Sequence, residues 1–340
     1  MEKILKNLLY TLIIGIVLLF TGLIISFIIS RFIPGDPVLA YLPERYNPAL
    51  YTQVRNSLGL NQPIIVQFII FTLRMFSGDW GRSISIAKGK TVQELFLVAV
   101  PRSIDYLIVP LIIGLFLGLI LGYISIKSRI SLVNRIIQVF SLLIFAFPIF
   151  FLIMALQFTL GYIFPIFPTT GFKTYSFPDP PFVTGFRIID SMLSGQFTLI
   201  PDYFYHLALP WTILTIYITS FVIILVRMYH IHQLKHPTST ERRSIAPFTL
   251  LVGLGFGTIF AFLTMTEVSY GLAGLGQLFI IAITNRDYWV IVGILYLNVI
   301  SFVIVITISL LIFIWYGSAK NMSLFKRFVI TPKEHEVDLI

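Results

Sequence analysis

Three histidines and one Gly-Lys-Thr run are the parts of the sequence whose types and spacing could support metal binding or catalysis. His230, His232 and His236 are close enough along the chain to ligate a metal ion, but a solvated polar turn explains the same cluster. The run 89–91 resembles the end of a phosphate-binding loop, yet Ile84 occupies the position where that loop requires glycine. The chain lacks zinc-protease and serine-hydrolase motifs, and it has no cysteine. The sequence therefore predicts no catalytic residue, no metal site and no cofactor.

The composition indicates a membrane protein. Hydrophobic residues make up 57% of the 340 residues and charged residues 11%, whereas about 25% of an average soluble domain is charged. The net charge of +9 is not accompanied by a basic patch with interleaved aromatic residues. The positive-inside rule therefore explains this charge better than nucleic-acid binding does.

The apolar residues are grouped in six stretches, each long enough for the roughly 20-residue helix that crosses a bilayer. Pro110 and Pro148 fall inside two of them and should kink the helices. Gly114, Gly118 and Gly122 recur every four residues, a spacing that predicts close packing against another helix. The predicted spans are 8–30, 104–126, 136–161, 207–229, 246–266 and 289–316.

The charges between the spans predict the orientation. If the N-terminus is cytoplasmic, the inside segments carry thirteen basic and five acidic residues, and the longer outside segments carry eleven and ten. The basic excess therefore places both termini in the cytoplasm. Two long outer loops follow, at 31–102 and 162–206, and residues 63–77 within the first predict a short apolar helix at the membrane interface or packed on the bundle.

Ionisable residues are absent from the apolar core of every predicted span. Proton- and ion-coupled carriers usually need such groups near the middle of the membrane. The polar residues available there are Gln138, Gln157 and Asn298, and each of them could simply tie neighbouring helices together. If the protein moves a solute uphill, we expect a partner chain to supply the energy.

The segment RFIPGDP at 31–37 stands directly after the first predicted span. Its pattern is defined by Arg31, Pro34, Gly35, Asp36 and Pro37. Further segments follow in a fixed order: LGLNQP at 58–63, GDWGRS at 78–83, FPIF at 147–150, FPTTG at 167–171, HLALP at 206–210 and NRDY at 285–288. This ordered set resembles the oligopeptide/dipeptide-type ABC transporter permeases, the inner-membrane components of binding-protein-dependent transport systems.

The resemblance implies an all-α, six-span permease of the type I ABC importer kind in the plasma membrane. It also implies a second permease subunit, two cytoplasmic ATPase subunits, an extracytoplasmic solute-binding protein and a peptide or similar small solute. The corresponding divisions of the chain are 1–30 for the N-terminus and first span, 31–103 for the outer loop region, 104–316 for the five-span core and 317–340 for the cytoplasmic tail.

One cytoplasmic segment departs from the family pattern. The family has a helix after the fourth span that docks on the ATPase, but this chain is some twenty residues shorter there, and Pro237 would break a short helix. Arg227, Lys235, Arg242 and Arg243 remain as candidates for the ATPase-coupling region. The loss of the docking helix predicts a reduced or absent ATPase contact on this subunit.

Two acidic residues on the outer side are candidate contacts for the solute or the binding protein. Glu267 begins a segment, 267–276, that resembles a family motif but has Ala273 in place of a proline. Asp287 lies in the NRDY segment beside Arg286. For each acid the alternative is a structural hydrogen bond or, for Asp287, a salt bridge with Arg286.

Three functional hypotheses follow. The first is a permease subunit that forms half of the solute path of an ABC importer. The second is a degenerate permease that acts as a structural partner or as a docking platform for the binding protein. A membrane enzyme is the third. Co-purification with an ATPase separates the first two, and turnover by the isolated chain would support the third.

Overall fold

The fold is all-α, as predicted. The computed structural model describes residues 2–32, 36–235 and 241–317. Within these ranges the chain forms helices and loops, with an isolated antiparallel bridge between Arg82 and Thr91. The helices are α1 (Glu2–Phe32), a 3-10 helix (Pro37–Tyr41), α2 (Pro48–Ser57), α3 (Ile64–Phe76), α4 (Val92–Lys127), α5 (Ser131–Ala146), α6 (Ile149–Leu156) with a π-helix (Gln157–Ile163), α7 (Arg187–Leu193), α8 (Leu199–Lys235), α9 (Glu241–Tyr270), α10 (Leu275–Thr284) and α11 (Tyr288–Gly317).

Four of the six predicted spans correspond to single helices, and each of the other two belongs to a pair of helices joined at a bend. Among the described residues, α1, α4, α8 and α11 are each long and apolar enough to cross a membrane. The kink predicted at Pro148 is confirmed, because the span at 136–161 is broken between α5 and the helix at 149–163 by a 100° bend. The predicted span 246–266 lies within the continuous helix α9, and a 66° bend beyond its end separates α9 from α10.

Pro148 accounts for the first of these bends. A proline lacks the amide hydrogen that would continue the helix, and it forces the preceding residue into an extended conformation. Phe147 accordingly has ψ of 134° and ends α5. The Tyr217 hydroxyl on α8 donates to the Phe147 carbonyl at 2.5 Å, which satisfies one acceptor that the break leaves free. In contrast, α4 continues through Pro110 as a single helix.

The glycine face predicted on the second span packs against α8. A Cβ atom added at Gly118 would lie 2.5 Å from Cβ of Val222, and one added at Gly114 would lie 2.7 Å from Cγ2 of Ile218. Gly122 meets Val226 in the same way. Only glycine allows the two helix backbones to approach this closely, so α4 and α8 form one tightly packed pair.

The long loops gather at one end of the helix bundle. We call residues 36–91, 164–198 and 271–287 the loop end, and residues 125–138 with 227–235 the opposite end. At the loop end α3 packs on α1 through buried Phe71 and Met75, and the rings of Phe27 and Phe71 lie 5.4 Å apart. The short apolar helix predicted from 63–77 is therefore confirmed, and its inner face lies against the bundle.

Candidate functional site

Asp287 anchors the loop that follows the GDWGRS segment. Its side chain is fully buried, and Oδ2 accepts from the Ser83 hydroxyl at 2.6 Å and from the backbone amides of Ser85 at 3.0 Å and of Ile84 and Ile86 at 3.1 Å each. Several converging amides stabilise a carboxylate strongly, because each bond is charge-assisted. Asp287 thus joins two sequence motifs that lie about two hundred residues apart, and its hydrogen bonds run to this loop.

Two tryptophans lie at the junction, by which we mean the contact between the GDWGRS and NRDY segments. The Trp289 indole donates to the Pro37 carbonyl at 3.1 Å, and the Trp80 indole donates to the Met75 carbonyl at 3.1 Å. Gly81 has φ of +89°, and a Cβ atom there would lie 2.4 Å from the Trp289 ring. Both the backbone conformation and the contact therefore require glycine at this position.

The signature segment after the first span is held to the same junction. Asp36 caps the 3-10 helix, since its Oδ1 accepts from the Val38 amide at 2.9 Å, and its Oδ2 accepts from the Tyr51 hydroxyl at 2.7 Å. Pro37 is the first residue of that helix. Of the other predicted residues, Arg31 is described through its helical backbone alone, and Pro34 and Gly35 lie outside the described residues.

Glu267 occupies the bend between α9 and α10. Its carboxylate is buried, and Oε2 accepts from the Gly276 amide at 2.6 Å in the first turn of α10. The Ser103 hydroxyl on α4 accepts from the neighbouring Leu275 amide at 2.8 Å. Gly274, the N-cap residue, has no side chain, and a Cβ there would lie 2.3 Å from Oε1 of Glu267. Glu267 therefore acts as a remote cap for α10.

The FPTTG segment is attached to this bend. Gln157 in the π-helix donates through Nε2 to the Thr169 carbonyl at 2.8 Å and to the Ser269 carbonyl at 3.1 Å. The Gly171 amide donates to the Tyr270 carbonyl at 2.7 Å. Gln157 thus holds neighbouring segments together, which is the structural role that the sequence allowed for it.

Two further buried acids were not among the predicted site residues. Asp105 on α4 accepts from the Arg187 amide at 2.6 Å. Asp190 accepts from the Thr184 amide and hydroxyl, both at 2.7 Å, and from the Gly185 amide at 3.0 Å. Burial acts to raise the pKa of Asp190, but these hydrogen bonds outweigh it and hold the pKa below its usual value. The Thr-Gly pair shortly before an aspartate is a local turn signal that could have identified Asp190.

The opposite end is organised around one arginine. The half-buried Arg227 of α8 donates to Oδ1 of Asn134 at 2.5 Å, to Oε1 of Gln138 at 2.7 Å and to the Ser125 hydroxyl. It thereby connects α8 with α4 and α5. Lys235 ends α8, and α9 begins one residue before Arg242 and Arg243. The side chains of these three residues, and residues 236–240 with Pro237, lie outside the described part of the chain.

Residues 4–90 match the family described as "Binding-prot-dependent transport system membrane comp, N-term". The chain is 27% identical over 320 residues to the probable D,D-dipeptide transport system permease protein DdpB of Escherichia coli, covering 88% of this chain and 93% of that protein. It is 27% identical over 319 residues to the di/tripeptide permease DppB of Pseudomonas aeruginosa, covering 87% and 92%. It is 28% identical over 315 residues to the oligopeptide permease AppB of Bacillus subtilis, covering 86% and 91%.

The resemblance to the peptide-type permeases is confirmed.

The permease signature segments are joined to one another in space. GDWGRS meets NRDY through Asp287, and the turn after the first span meets Trp289. The chain is a multi-pass membrane protein with apolar helices of spanning length. Among the described residues, groups of three or more side chains able to hold a metal ion are not found.

Proposed function

We propose that this chain is one transmembrane half of an ATP-driven importer for peptides or a similar small solute. The observation that carries the proposal is the match to three peptide permeases over 86–88% of the chain. The loop end would receive the solute, and the helices would form half of its path through the membrane.

The partners follow from the same proposal. A second permease subunit would complete the path, two cytoplasmic ATPase subunits would supply the energy, and an extracytoplasmic binding protein would deliver the solute. The charge distribution supports a cytoplasmic position for both termini and for the opposite end. The absence of ionisable residues from the predicted span cores supports an external energy source. ATP hydrolysis would then occur on other chains, and this subunit would not be an enzyme.

The segment from Arg227 to Arg243 is the proposed ATPase-coupling region, with Lys235 and Arg242 inside it. Arg227 is hydrogen-bonded to α4 and α5, so a displacement at the α8–α9 junction would be passed to both helices. Because the segment is short, we expect a smaller ATPase contact on this subunit than on its partner permease.

For the two acidic candidates the geometry favours a structural role. The carboxylates of Glu267 and Asp287 are buried and accept from backbone amides. We therefore propose that they shape the surface that receives the solute without touching the solute themselves.

Reconstitution tests the importer proposal. The chain is purified with its co-purifying permease and ATPase subunits, inserted into proteoliposomes and supplied with the binding protein loaded with radiolabelled trialanine. We expect uptake that requires ATP and the binding protein. A complex that contains the ATPase but imports neither trialanine nor other di- and tripeptides would overturn the proposal for peptides.

A cysteine-directed crosslink tests the coupling region. The chain has no cysteine, so a Lys235→Cys variant carries a single reactive thiol. Crosslinking to a cysteine in the ATPase groove is expected to occur and to change with ATP. If Lys235→Cys gives no crosslink while the partner permease does, this subunit is coupled only through its partner.

A further inference from the structure

Two arginines lie close together where α4 meets the loop end. Arg102 belongs to α4, and Arg187 begins α7. The two elements are in close contact, because a Cβ added at Gly185 would lie 3.0 Å from Cγ of Pro101. Arg187 is buried and Arg102 is half-buried, and the two positive charges are close enough to repel each other.

The hydrogen-bond donors of this pair exceed the available acceptors. Arg187 donates to the Tyr106 hydroxyl, and its guanidinium carbon lies 3.2 Å from the centre of the Phe172 ring. The buried Nε of Arg102 has no acceptor among the described residues. A guanidinium offers five donors in a planar fork, and a bound anion would supply an acceptor for the fork of Arg102 that the described residues do not provide.

The nearby carboxylates make no direct ion pair with either guanidinium in the described part of the chain. Asp105 directs Oδ2 to the backbone amide of Arg187 at 2.6 Å, and Asp190 is occupied by the amides and hydroxyl of 183–185. The ion pairs within 4.0 Å in the described part of the chain include neither arginine. Asp105 near Arg187 and Asp179 near Arg102 therefore act only at longer range, and a bound anion would add a direct ionic partner for these partly buried cations.

We propose that Arg102 and Arg187 form a binding site for the C-terminal carboxylate of a peptide that arrives at the loop end. A guanidinium fork matches a carboxylate with two parallel hydrogen bonds, and every unmodified linear peptide has one such group. Tyr106 and Phe172 form an aromatic wall beside it. The choice of a peptide carboxylate rests on the proposed function, whereas the anion site rests on the side chains alone.

Protection from phenylglyoxal, a reagent that modifies free guanidinium groups, tests the site without requiring transport. The wild-type complex in nanodiscs, without binding protein, is treated in the presence of trialanine, trialanine amide or inorganic phosphate. Mass spectrometry compares modification of Arg102 with that of Arg82, an exposed arginine that donates to the Gly89 carbonyl. Trialanine at ten times its dissociation constant should slow modification of Arg102 about tenfold, since the free fraction falls by that factor.

Trialanine amide should not protect Arg102, and Arg82 should react equally in all samples. Equal protection by the amide, or no protection by trialanine, would overturn the proposal. Protection by phosphate as strong as that by trialanine would show a general anion site and would overturn the assignment to a carboxylate. Because this assay needs neither ATP nor import, a failure of the importer proposal leaves its result interpretable.

Variants extend the test to transport. Arg102→Gln should lower uptake of trialanine at limiting concentration about tenfold through loss of a charge-assisted hydrogen-bonded pair, while Arg102→Lys retains the charge and should lose less. Arg82→Gln is the matched control at the loop end and should leave uptake unchanged. Normal uptake and normal carboxylate preference in a folded Arg102→Gln complex would contradict the site.

Discussion

The loop end and the opposite end of the bundle use polar side chains in different ways. In and beside the loop end, the buried acids Asp105, Asp190, Glu267 and Asp287 all accept from backbone amides. At the opposite end, Arg227 donates to neutral side chains on two other helices. A carboxylate that gathers several amides fixes the path of a loop, because those amides cannot find other partners without refolding the loop. Side chains can change rotamers, so contacts between them can be exchanged while the helices shift.

This comparison indicates that the loop end is rigid, whereas the helices at the opposite end can shift relative to one another. Such a division would suit the proposed importer subunit. One end would present a constant surface to a binding protein, and the other end would move together with the ATPase.

The largest effect is expected at Asp287. Asp287→Asn keeps the shape but removes the charge and brings an amide group against the amides of residues 84–86. The free energy of unfolding should fall by about 3 kcal/mol, measured by thermal unfolding in detergent. Asp79→Asn is the control, because Asp79 forms an exposed salt bridge with Arg74 and should cost less than about 1 kcal/mol. Equal effects of the two variants would remove the basis for a rigid loop end.

A smaller effect is expected at the bend between α9 and α10. Gly274→Ala places a methyl group against the Glu267 carboxylate and should destabilise the protein by about 2 kcal/mol. In a Glu267→Ala background the same substitution should cost clearly less, because the opposing group is gone. A double-mutant cycle of unfolding free energies measures this coupling. Additive effects would show that Glu267 does not pack on this turn as described.

At the opposite end, transport should change more than stability. Arg227→Ala should cost about 1 kcal/mol of stability but should uncouple α8 from α4 and α5, which lowers the uptake obtained per ATP hydrolysed. Arg135→Ala, an exposed residue on α5, serves as the control. If Arg227→Ala destabilises the chain as much as Asp287→Asn does, the two ends do not differ in the proposed way.

The smallest effect is a dependence on pH from Asp190. Its pKa is held below the usual value, so the folded state favours the charged form. The resulting stability is fully present above the unfolded-state pKa of about 3.9 and is lost as the pH falls through the lower folded-state pKa. Asp190→Asn should therefore reduce the loss of melting temperature on acidification below pH 5. An unchanged acid profile would contradict this assignment.

The sequence predicted the parts of this molecule that depend on local pattern. The six apolar stretches, the short helix at 64–76 and the glycine face of α4 follow from hydropathy and spacing, because membrane burial and close packing act on consecutive turns. Pro148 also correctly predicted the break between α5 and α6. The bend between α9 and α10 was not predicted, although Gly271, which has φ of +62° directly after α9, is the kind of residue that ends a helix.

The contacts between motifs that are distant along the chain could not be predicted from local sequence pattern. The order of the motifs along the chain does not show which loops contact one another. Asp287 was therefore predicted as a candidate solute contact, and its structural role was not identified. Its contact with residues 83–86 depends on the packing of α11 beside α4. Asp105 on α4 and Asp190 on α7 were missed for a related reason, since a single acid in a helix does not indicate which distant amides it accepts from.

The hydrogen bond between Ser83 and Asp287 spans 204 residues of chain, and this has a consequence for biosynthesis. A ribosome adds about 5–20 residues per second, so the amides of residues 84–86 wait some 10–40 seconds for their carboxylate to be made. During that interval residues 83–86 lack this acceptor, although α3 of the same loop can already pack on α1. A product truncated before Asp287 would leave the amides of residues 84–86 without their carboxylate however well its other helices had packed.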